Sequence, residues 1–286
     1  MRPVANRPIQ RTVRGLPTSD GAGVRLTRVI GQPALMELDP FLLLDEFGTD
    51  KPEDYIAGFP SHPHRGFETV TYMLDGRMRH KDNHGHEGLL GPGSVQWMTA
   101  GRGIVHSEMP EQEQGRMRGF QLWINLPARD KMTAPRYQEY AADLIPLVPA
   151  DRLPQGIAAK VIAGSFREVR GPIEQPATEP LYLDLTLAAG AQVEVPVARA
   201  CSAFFYVYEG SVAVTGSGDA EPVVAPMLAV LGDGDAVLLH GVAAASRVIL
   251  IAGRVLGEPI ARHGPFVMNT RDEIRRAVED FNNGRF

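Results

Sequence analysis

Residues 70–77 read VTYMLDGR, and residues 205–212 read FYVYEGSV. Each stretch is a strand-like run with aromatic side chains, followed by an acidic residue and a glycine. GPGSVQWM at 91–98 likewise resembles GDGDAVLL at 232–239, because in both a Gly-x-Gly turn leads into a strand-like run. The same motifs in the same order in both halves predict a duplicated β-domain.

The rest of the chain consists largely of short strand-like runs separated by turn residues. It has 286 residues, including 30 glycines and 23 prolines, and 44% of them are hydrophobic, which is enough to bury substantial cores. This pattern is typical of antiparallel barrels and sandwiches. We expect an all-β chain with two antiparallel β-barrels, an N-terminal domain at 1–134 and a C-terminal domain at 145–286, with a proline-containing linker between them.

One short helix is expected near the C-terminus. Thr270 followed by Glu273 fits a capping box at its start, and Gly284 can end it. Between them, apolar residues recur at helical spacing, namely Ile274, Ala277, Val278 and Phe281. We assign this helix to the C-terminal domain, where it would dock against the barrel.

Composition excludes several classes of function. The net charge of −5, without long basic runs, argues against direct nucleic-acid binding. The apolar run VILIA at 248–252 is far shorter than the roughly 20 residues that span a bilayer, so no transmembrane helix is expected. Cys201 is the single cysteine, so no intramolecular disulfide can form and nothing indicates an oxidising compartment. We expect a cytoplasmic monomer.

The candidate chemistry lies in FPSHPHRGFETVT at 59–71 and IVHSEMP at 104–110. Strand side chains alternate between faces, so His62 and His64 would share a face with Cα atoms roughly 6 to 7 Å apart. His106 and Glu108 have the same spacing. If a neighbouring antiparallel strand carries this second pair, the four side chains form a His₃-carboxylate metal site. A six-coordinate ion would keep two positions open for water, oxygen or substrate.

Two alternatives concern other ligands. Glu68 lies four residues after His64, and strand parity predicts that the two share a face, so Glu68 could replace Glu108 as the carboxylate ligand. A second histidine cluster, His80, His84 and His86, lies in RHKDNHGHEG at 79–88, where Asp, Asn and Gly indicate a polar turn. We expect that segment to form a solvated loop or cavity rim rather than to bind the metal.

Four segments together resemble the pirin family of the cupin superfamily. They are HPHRGFETVTYMLDG at 62–76, GPGSVQWMTAGRGIVHSEMP at 91–110, GFQLWINLP at 119–127 and GPFVMNTRDEI at 264–274. The resemblance implies a bicupin whose metal centre lies in the N-terminal barrel only. It makes His62, His64, His106 and Glu108 the ligands. Glu68 would then lie beside the ligands, where it could orient a histidine or a water molecule.

The resemblance also implies an activity. Bacterial pirins are associated with quercetin 2,3-dioxygenase activity, which opens a flavonol ring with O₂ at one divalent transition metal. Fe²⁺ is the first choice of metal here, with Mn, Ni, Cu, Co or Zn as alternatives. Glu108 would also serve as general base. We expect Arg65, Gln96 and Trp97 to orient the site or line its cavity, although Gln96 and Trp97 also suit a purely structural role in the barrel wall.

Two other functions fit the same sequence. One is a regulatory module whose metal redox state controls its binding to a transcription cofactor or a metabolic enzyme. The other is a non-oxidative cupin reaction such as sugar isomerisation. The dioxygenase hypothesis requires a small aromatic, flavonol-like substrate and O₂ as partners, whereas the regulatory hypothesis requires a protein partner that the sequence does not identify.

Overall fold

The computed structural model of the chain describes residues 4–216 and 221–286. Strands make up more than half of the described residues, and this part of the chain contains one α-helix, near the C-terminus. The expected all-β class with a short C-terminal helix is therefore confirmed. No helix among the described residues is long and apolar enough to cross a membrane.

The elements are named here in chain order. The first twelve strands are β1 Ile9–Arg14, β2 Leu16–Asp20, β3 Val24–Ile30, β4 Phe41–Thr49, β5 Phe59–His64, β6 Phe67–Asp75, β7 Met78–Asp82, β8 Glu87–Leu90, β9 Val95–Thr99, β10 Ile104–Pro110, β11 Met117–Asn125 and β12 Arg136–Tyr140. The later elements are β13 Ile157–Ala163, β14 Ser165–Phe166, β15 Val169–Arg170, β16 Leu181–Ala188, β17 Gln192–Pro196, β18 Cys201–Glu209, β19 Ser211–Val214, β20 Val223–Val224, β21 Met227–Leu231, β22 Ala236–Gly241, β23 Ala245–Arg254, β24 Ala261–His263, β25 Phe266–Met268 and α1 Arg271–Asn282. Short 3₁₀ turns lie at Pro52–Asp54, Ala128–Asp130, Ala142–Leu144 and Ala150–Arg152.

The chain forms two compact domains that exchange their terminal segments. The histidine domain comprises Leu16–Ala142 and Leu256–Phe286, and the second domain comprises Met1–Gly15 and Asp143–Val255. These boundaries differ from the expected division at 1–134 and 145–286, and they place α1 in the histidine domain. The physical reason is hydrogen bonding. Strand β1 pairs with β21 of the second domain, and the Asp39 carboxylate in the histidine domain accepts hydrogen bonds from the backbone of the segment that begins at Leu256.

Each domain contains two larger antiparallel sheets, and their strand orders match between the domains except that β2 has no counterpart; one two-stranded sheet per domain, β24-β25 and β14-β15, is additional. In the histidine domain the orders are β12-β9-β6-β11-β4-β3-β2 and β5-β10-β7-β8. In the second domain they are β1-β21-β18-β23-β16-β13 and β17-β22-β19-β20. The predicted duplication is therefore confirmed. The predicted match between GPGSVQWM and GDGDAVLL was wrong. GPGSVQWM leads into β9, whereas GDGDAVLL leads into β22, which is the counterpart of β10. A second Gly-x-Gly sequence, GRG at 101–103, precedes β10 as GDG at 232–234 precedes β22.

The corrected correspondence shows which residues occupy the ligand positions in the second domain. On β22, Val237 pairs with Val195, as His106 pairs with His62 in the histidine domain. Leu239, two residues further along β22, lies where Glu108 lies on β10. All three of these apolar side chains are buried in the core of the second domain. Hydrophobic packing thus takes the place that imidazoles and a carboxylate take in the histidine domain.

The C-terminal helix begins as the sequence predicted. The Thr270 hydroxyl accepts a 3.2 Å hydrogen bond from the backbone N–H of Glu273, and the Glu273 carboxylate accepts a 2.8 Å bond from the backbone N–H of Thr270. This reciprocal pair satisfies N–H groups that have no partner within the helix. Ala277 is buried on the inner face.

Candidate metal centre

Three histidines converge on one face of the sheet formed by β5 and β10. The two strands are antiparallel neighbours, as the spacing predicted, and His62 lies directly opposite His106. One ring nitrogen from each of His62, His64 and His106 lies within 4.8 Å of the others, and the Nε2 atoms of His62 and His64 are 3.0 Å apart. Ligands that bind one ion at about 2.0–2.1 Å are at most about 4 Å apart, so this group is close to the size of a coordination sphere.

The turn after His64 depends on Gly66. Its φ is +87°, a region that L-residues rarely adopt, and an added Cβ would overlap the carbonyl oxygen of Val267. The Gly66 N–H donates a 2.8 Å hydrogen bond to the carbonyl of Gly101. Gly66 therefore lets the chain turn tightly from β5 into β6 directly beside the histidines.

The buried histidines are electrically neutral. His64 and His106 are only 3% and 1% exposed, and burial together with the neighbouring imidazoles holds the pKa of each well below its usual range. Among the described residues, neither ring nitrogen of His106 has a hydrogen-bond partner. A buried polar group without a partner is costly. A metal ion accepts lone pairs from neutral imidazoles, so these residues fit a transition metal.

Glu108 lies beside the three histidines, held by two side chains. Thr71 Oγ1 donates to Glu108 Oε1 at 3.0 Å, and Gln121 Nε2 donates to Oε2 at 2.9 Å. Thr71 Oγ1 also lies 2.8 Å from Gln121 Oε1, so its single hydroxyl proton is shared between these two acceptors. Glu108 is 2% exposed and lies next to the 4.8 Å group rather than within it. Thr71 and Gln121 were not predicted. Each is a buried or half-buried polar residue on a strand of the same sheet, and the two lie directly opposite each other.

A cavity of about 570 Å³ opens onto this site. His62, His64 and Glu108 line one part of it, and its other walls include Phe59 and Trp123. Cavities of roughly 300–1,000 Å³ hold small-molecule ligands. The Trp123 ring lies 5.2 Å from the His64 ring, between centroids, so the ligand cluster and the aromatic wall are in contact.

Glu68 lies on the face of β6 that is directed away from the site. The prediction that Glu68 and His64 share a face was therefore wrong. Thr71 faces Glu108, and Glu68 lies three residues earlier on the regular part of β6, which puts it on the opposite face. It is fully buried and accepts a 2.5 Å hydrogen bond from Thr99 Oγ1. Parity counted from His64 failed because the chain turns at Gly66 before β6 begins.

Arg65 is directed toward the C-terminus rather than toward the ligands. Its Nε donates to the carbonyl of Arg102, its Nη1 donates to Asp280 Oδ2 at 2.7 Å, and its guanidinium lies 4.3 Å from the centre of the Phe286 ring. The expected role in orienting the metal site is therefore replaced by a structural one. Arg65 connects the H-x-H turn to α1 and the chain end.

Gln96 and Trp97 lie on opposite faces of β9. Gln96 pairs with Thr71 on the inward face and donates a 3.2 Å hydrogen bond to Glu139 Oε2. Trp97, the next residue, faces the other way and is fully buried. Trp97 therefore belongs to the wall of the domain, which is the structural alternative that the sequence allowed, and it is not among the residues that line the cavity.

The second histidine cluster differs in part from its predicted form. His84 and His86 lie in an exposed turn, as expected, whereas His80 is 1% exposed and lies on β7 directly opposite Glu108. Its Nε2 is 2.9 Å from Glu139 Oε2. The alternation of buried Met78 and His80 with more exposed Arg79 and Lys81 is a strand pattern that could have revealed this.

Two antiparallel domains of matching topology, with a histidine and glutamate cluster inside one of them, define a bicupin. Residues 23–124 match the Pirin family and residues 182–286 match the Pirin C-terminal cupin domain, and the chain belongs to the pirin family. It is 56% identical over 282 residues to a pirin-like protein of Caulobacter vibrioides, covering 98% of this chain and 99% of that one. It is 43% identical over 284 residues to the pirin of Homo sapiens, covering 98% and 94%. A crystal structure of quercetin 2,3-dioxygenase from Acinetobacter baumannii superposes with a TM-score of 0.89 at 33% identity and covers 99% of both chains.

Proposed function

We propose that the protein is a metal-dependent dioxygenase that opens the ring of quercetin or a related flavonol with O₂, at a mononuclear site of His62, His64, His106 and Glu108. The observation that carries the proposal is the convergence of three imidazoles and a buried carboxylate beside a cavity of about 570 Å³. Similarity over the full chain to the quercetin 2,3-dioxygenase of Acinetobacter baumannii supports it.

The three histidines and Glu108 would hold one divalent transition metal. Mixed imidazole and carboxylate ligands suit Fe²⁺, our first choice, as well as Mn²⁺, Ni²⁺, Cu²⁺, Co²⁺ and Zn²⁺. When bound, the metal supplies Lewis acidity that favours deprotonation of a flavonol hydroxyl. The remaining steps depend on side chains that the structure describes.

Glu108 is the proposed general base for that hydroxyl proton. Thr71 and Gln121 each donate one hydrogen bond to it, which fixes the plane of the carboxylate. An ionised carboxylate has about four acceptor positions, so capacity remains to accept a substrate proton. Two donors in fixed positions thus orient the base before the substrate arrives.

The aromatic wall would position a flat substrate. Trp123 lines the cavity, and its ring packs against Phe67, with 4.4 Å between centroids. Arg262 lies 5.0 Å from the Trp123 ring and also lines the cavity. Offset stacking on Trp123 would hold a flavonol ring beside the ligand cluster and restrict its orientation.

Gas exchange with quercetin tests the proposal. Metal-free protein is reconstituted separately with each of the six metals, and O₂ uptake and CO release are measured. We expect one O₂ consumed and one CO released per quercetin with at least one metal, and a loss of about 10²- to 10⁴-fold in Glu108→Gln. Inactivity with every metal, together with a protein partner captured in only one redox state, would instead support the regulatory module.

The cytoplasmic location and the monomeric state remain predictions.

A further inference from the structure

The histidine domain contains a second group of ligand-type side chains. His80 on β7, His86 in the turn before β8 and Glu139 on β12 each offer one ligand atom, and these atoms lie within 4.8 Å of one another. Oε2 of Glu139 is 2.9 Å from His80 Nε2 and 3.7 Å from His86 Nε2. Both distances are below the separation of about 4 Å that one ion can bridge with bonds of about 2.0–2.1 Å.

Space for this group exists because residue 88 lacks a side chain. Gly88 lies on β8, and its φ is not in the left-handed region, so its backbone does not require glycine. A Cβ at this position would lie 2.5 and 2.6 Å from the two carboxylate oxygens of Glu139 and would also overlap His80 Nε2. The missing side chain therefore leaves the volume in which the imidazole and the carboxylate meet.

Neighbouring groups hold the three side chains in place. Asp82 Oδ1 accepts 2.8 Å hydrogen bonds from the backbone N–H groups of His84 and His86, which fixes the turn. The Tyr137 ring stacks on His86 at 4.3 Å between centroids. Gln96, as described above, donates to Glu139. Preorganised ligands of this kind are typical of metal sites.

His80 is the buried end of the group. It is 1% exposed, and its Nε2 faces the Glu139 carboxylate at 2.9 Å. His86, by contrast, is exposed, so the group runs from the buried interior to solvent. A metal ion could enter from that side, and a water molecule could complete its coordination.

We propose that His80, His86 and Glu139 form a second transition-metal site, separate from the one formed by His62, His64 and His106. Two histidines, one glutamate and an open position match Zn²⁺ best. β8 and β12 are each the last strand of their sheets. A Zn²⁺ ion at this site would therefore link the edges of the two sheets in the histidine domain.

Zinc stoichiometry tests the proposal with the full-length chain. Metal-free protein is titrated with Zn²⁺ alone by calorimetry, and bound zinc is measured after gel filtration. We expect two Zn²⁺ per wild-type chain, and one in a His62→Ala/His106→Ala variant, which isolates the second site. Adding Glu139→Gln to that variant should reduce the stoichiometry to zero. A His62→Ala/His106→Ala variant that binds no Zn²⁺ would overturn the proposal.

Two further variants distinguish the site from adventitious binding by surface histidines. His84→Ala, in the same turn but outside the triad, should leave the stoichiometry unchanged, whereas His86→Ala should lose one Zn²⁺. Gly88→Ala should weaken the second site at least tenfold, with an unchanged circular dichroism spectrum showing that the domain is folded. Equal losses in His84→Ala and His86→Ala would contradict the proposal. None of these readouts depends on quercetin turnover, so the two proposals can fail independently.

Discussion

The Thr71 hydroxyl donates a 3.0 Å hydrogen bond to Oε1 of Glu108. Glu108 follows His106 by two residues on β10, whereas Thr71 lies on β6 in the other sheet of the same domain. The bond therefore joins the ligand-bearing strand to the opposite wall. Glu108 shares the inward face of β10 with His106, whereas Glu68 lies on the other face of β6.

Replacing Thr71 by valine should weaken metal binding. The nearly isosteric change removes the hydroxyl that orients Glu108, and losses of such supporting bonds typically reduce metal affinity about 10- to 100-fold. It should also lower the free energy of unfolding by about 1–3 kcal/mol, because buried acceptors lose their donor. Affinity can be measured by competition with a chelating dye, and stability by urea unfolding.

Thr99→Val is the matched control. It removes the 2.5 Å hydrogen bond to Glu68, another buried glutamate, on the far side of β6 from the site. We expect a similar loss of stability and no change in metal affinity. If the two variants lost affinity equally, Glu108 would have no special relation to the metal.

Metal binding should tolerate mild acid. The pKa values of His64 and His106 are held well below the usual range by burial, so both stay neutral where an ordinary histidine gains a proton. Between pH 7.5 and 5.5, a histidine of pKa about 6.5 weakens metal binding about tenfold. Affinity measured in a Glu139→Gln background should therefore fall by well under a hundredfold. A thousandfold fall, tenfold for each of three histidines, would contradict this.

Arg65 should contribute more to the stability of α1 than Arg285, the exposed arginine that also pairs with Asp280. Arg65→Met removes the ion pair with Asp280 and the contact with the Phe286 ring, so hydrogen exchange in α1 should become roughly tenfold faster or more. Arg285 also pairs with Asp280, but its side chain is 55% exposed. Arg285→Met should change exchange by less than about fivefold, because exposed pairs contribute little. Equal effects would disprove the anchoring role.

Gly66→Ala should be far more destabilising than Gly85→Ala. Both glycines have φ near +87°, which costs another residue about 1–2 kcal/mol. Around Gly85 no atom lies within 4 Å of an added Cβ, whereas at Gly66 that Cβ meets the Val267 backbone. Urea unfolding should show a loss of about 1–2 kcal/mol for Gly85→Ala and more than about 3 kcal/mol for Gly66→Ala. Similar losses would contradict the close packing at this turn.

Local periodicity predicted much of the candidate site. Alternation along β5 and β10 correctly placed His62, His64 and His106 together, because within one strand the faces alternate without interruption. It failed for Glu68, because a turn separates it from His64. A period of two carries information only as far as the strand continues.

Contacts between residues that are far apart in the sequence could not be predicted from such local patterns. Arg65 and Asp280 are 215 residues apart in sequence, so nothing local indicated that α1 returns to the H-x-H turn. The terminal exchange between the domains was missed for the same reason. His80 is a different case, because the alternation of residues 78–81 indicated a strand, and only its contact with Glu139 depends on a distant part of the chain.

Anomalous scattering would show directly whether His62, His64, His106 and Glu108 bind a metal ion. Crystals of protein reconstituted with Fe²⁺ are measured on both sides of the iron absorption edge, and an anomalous difference map is calculated. We expect a peak within bonding distance of His62, His64, His106 and a Glu108 oxygen, at about 2.0–2.2 Å. A peak coordinated by Glu68, or no peak at the three histidines, would contradict it.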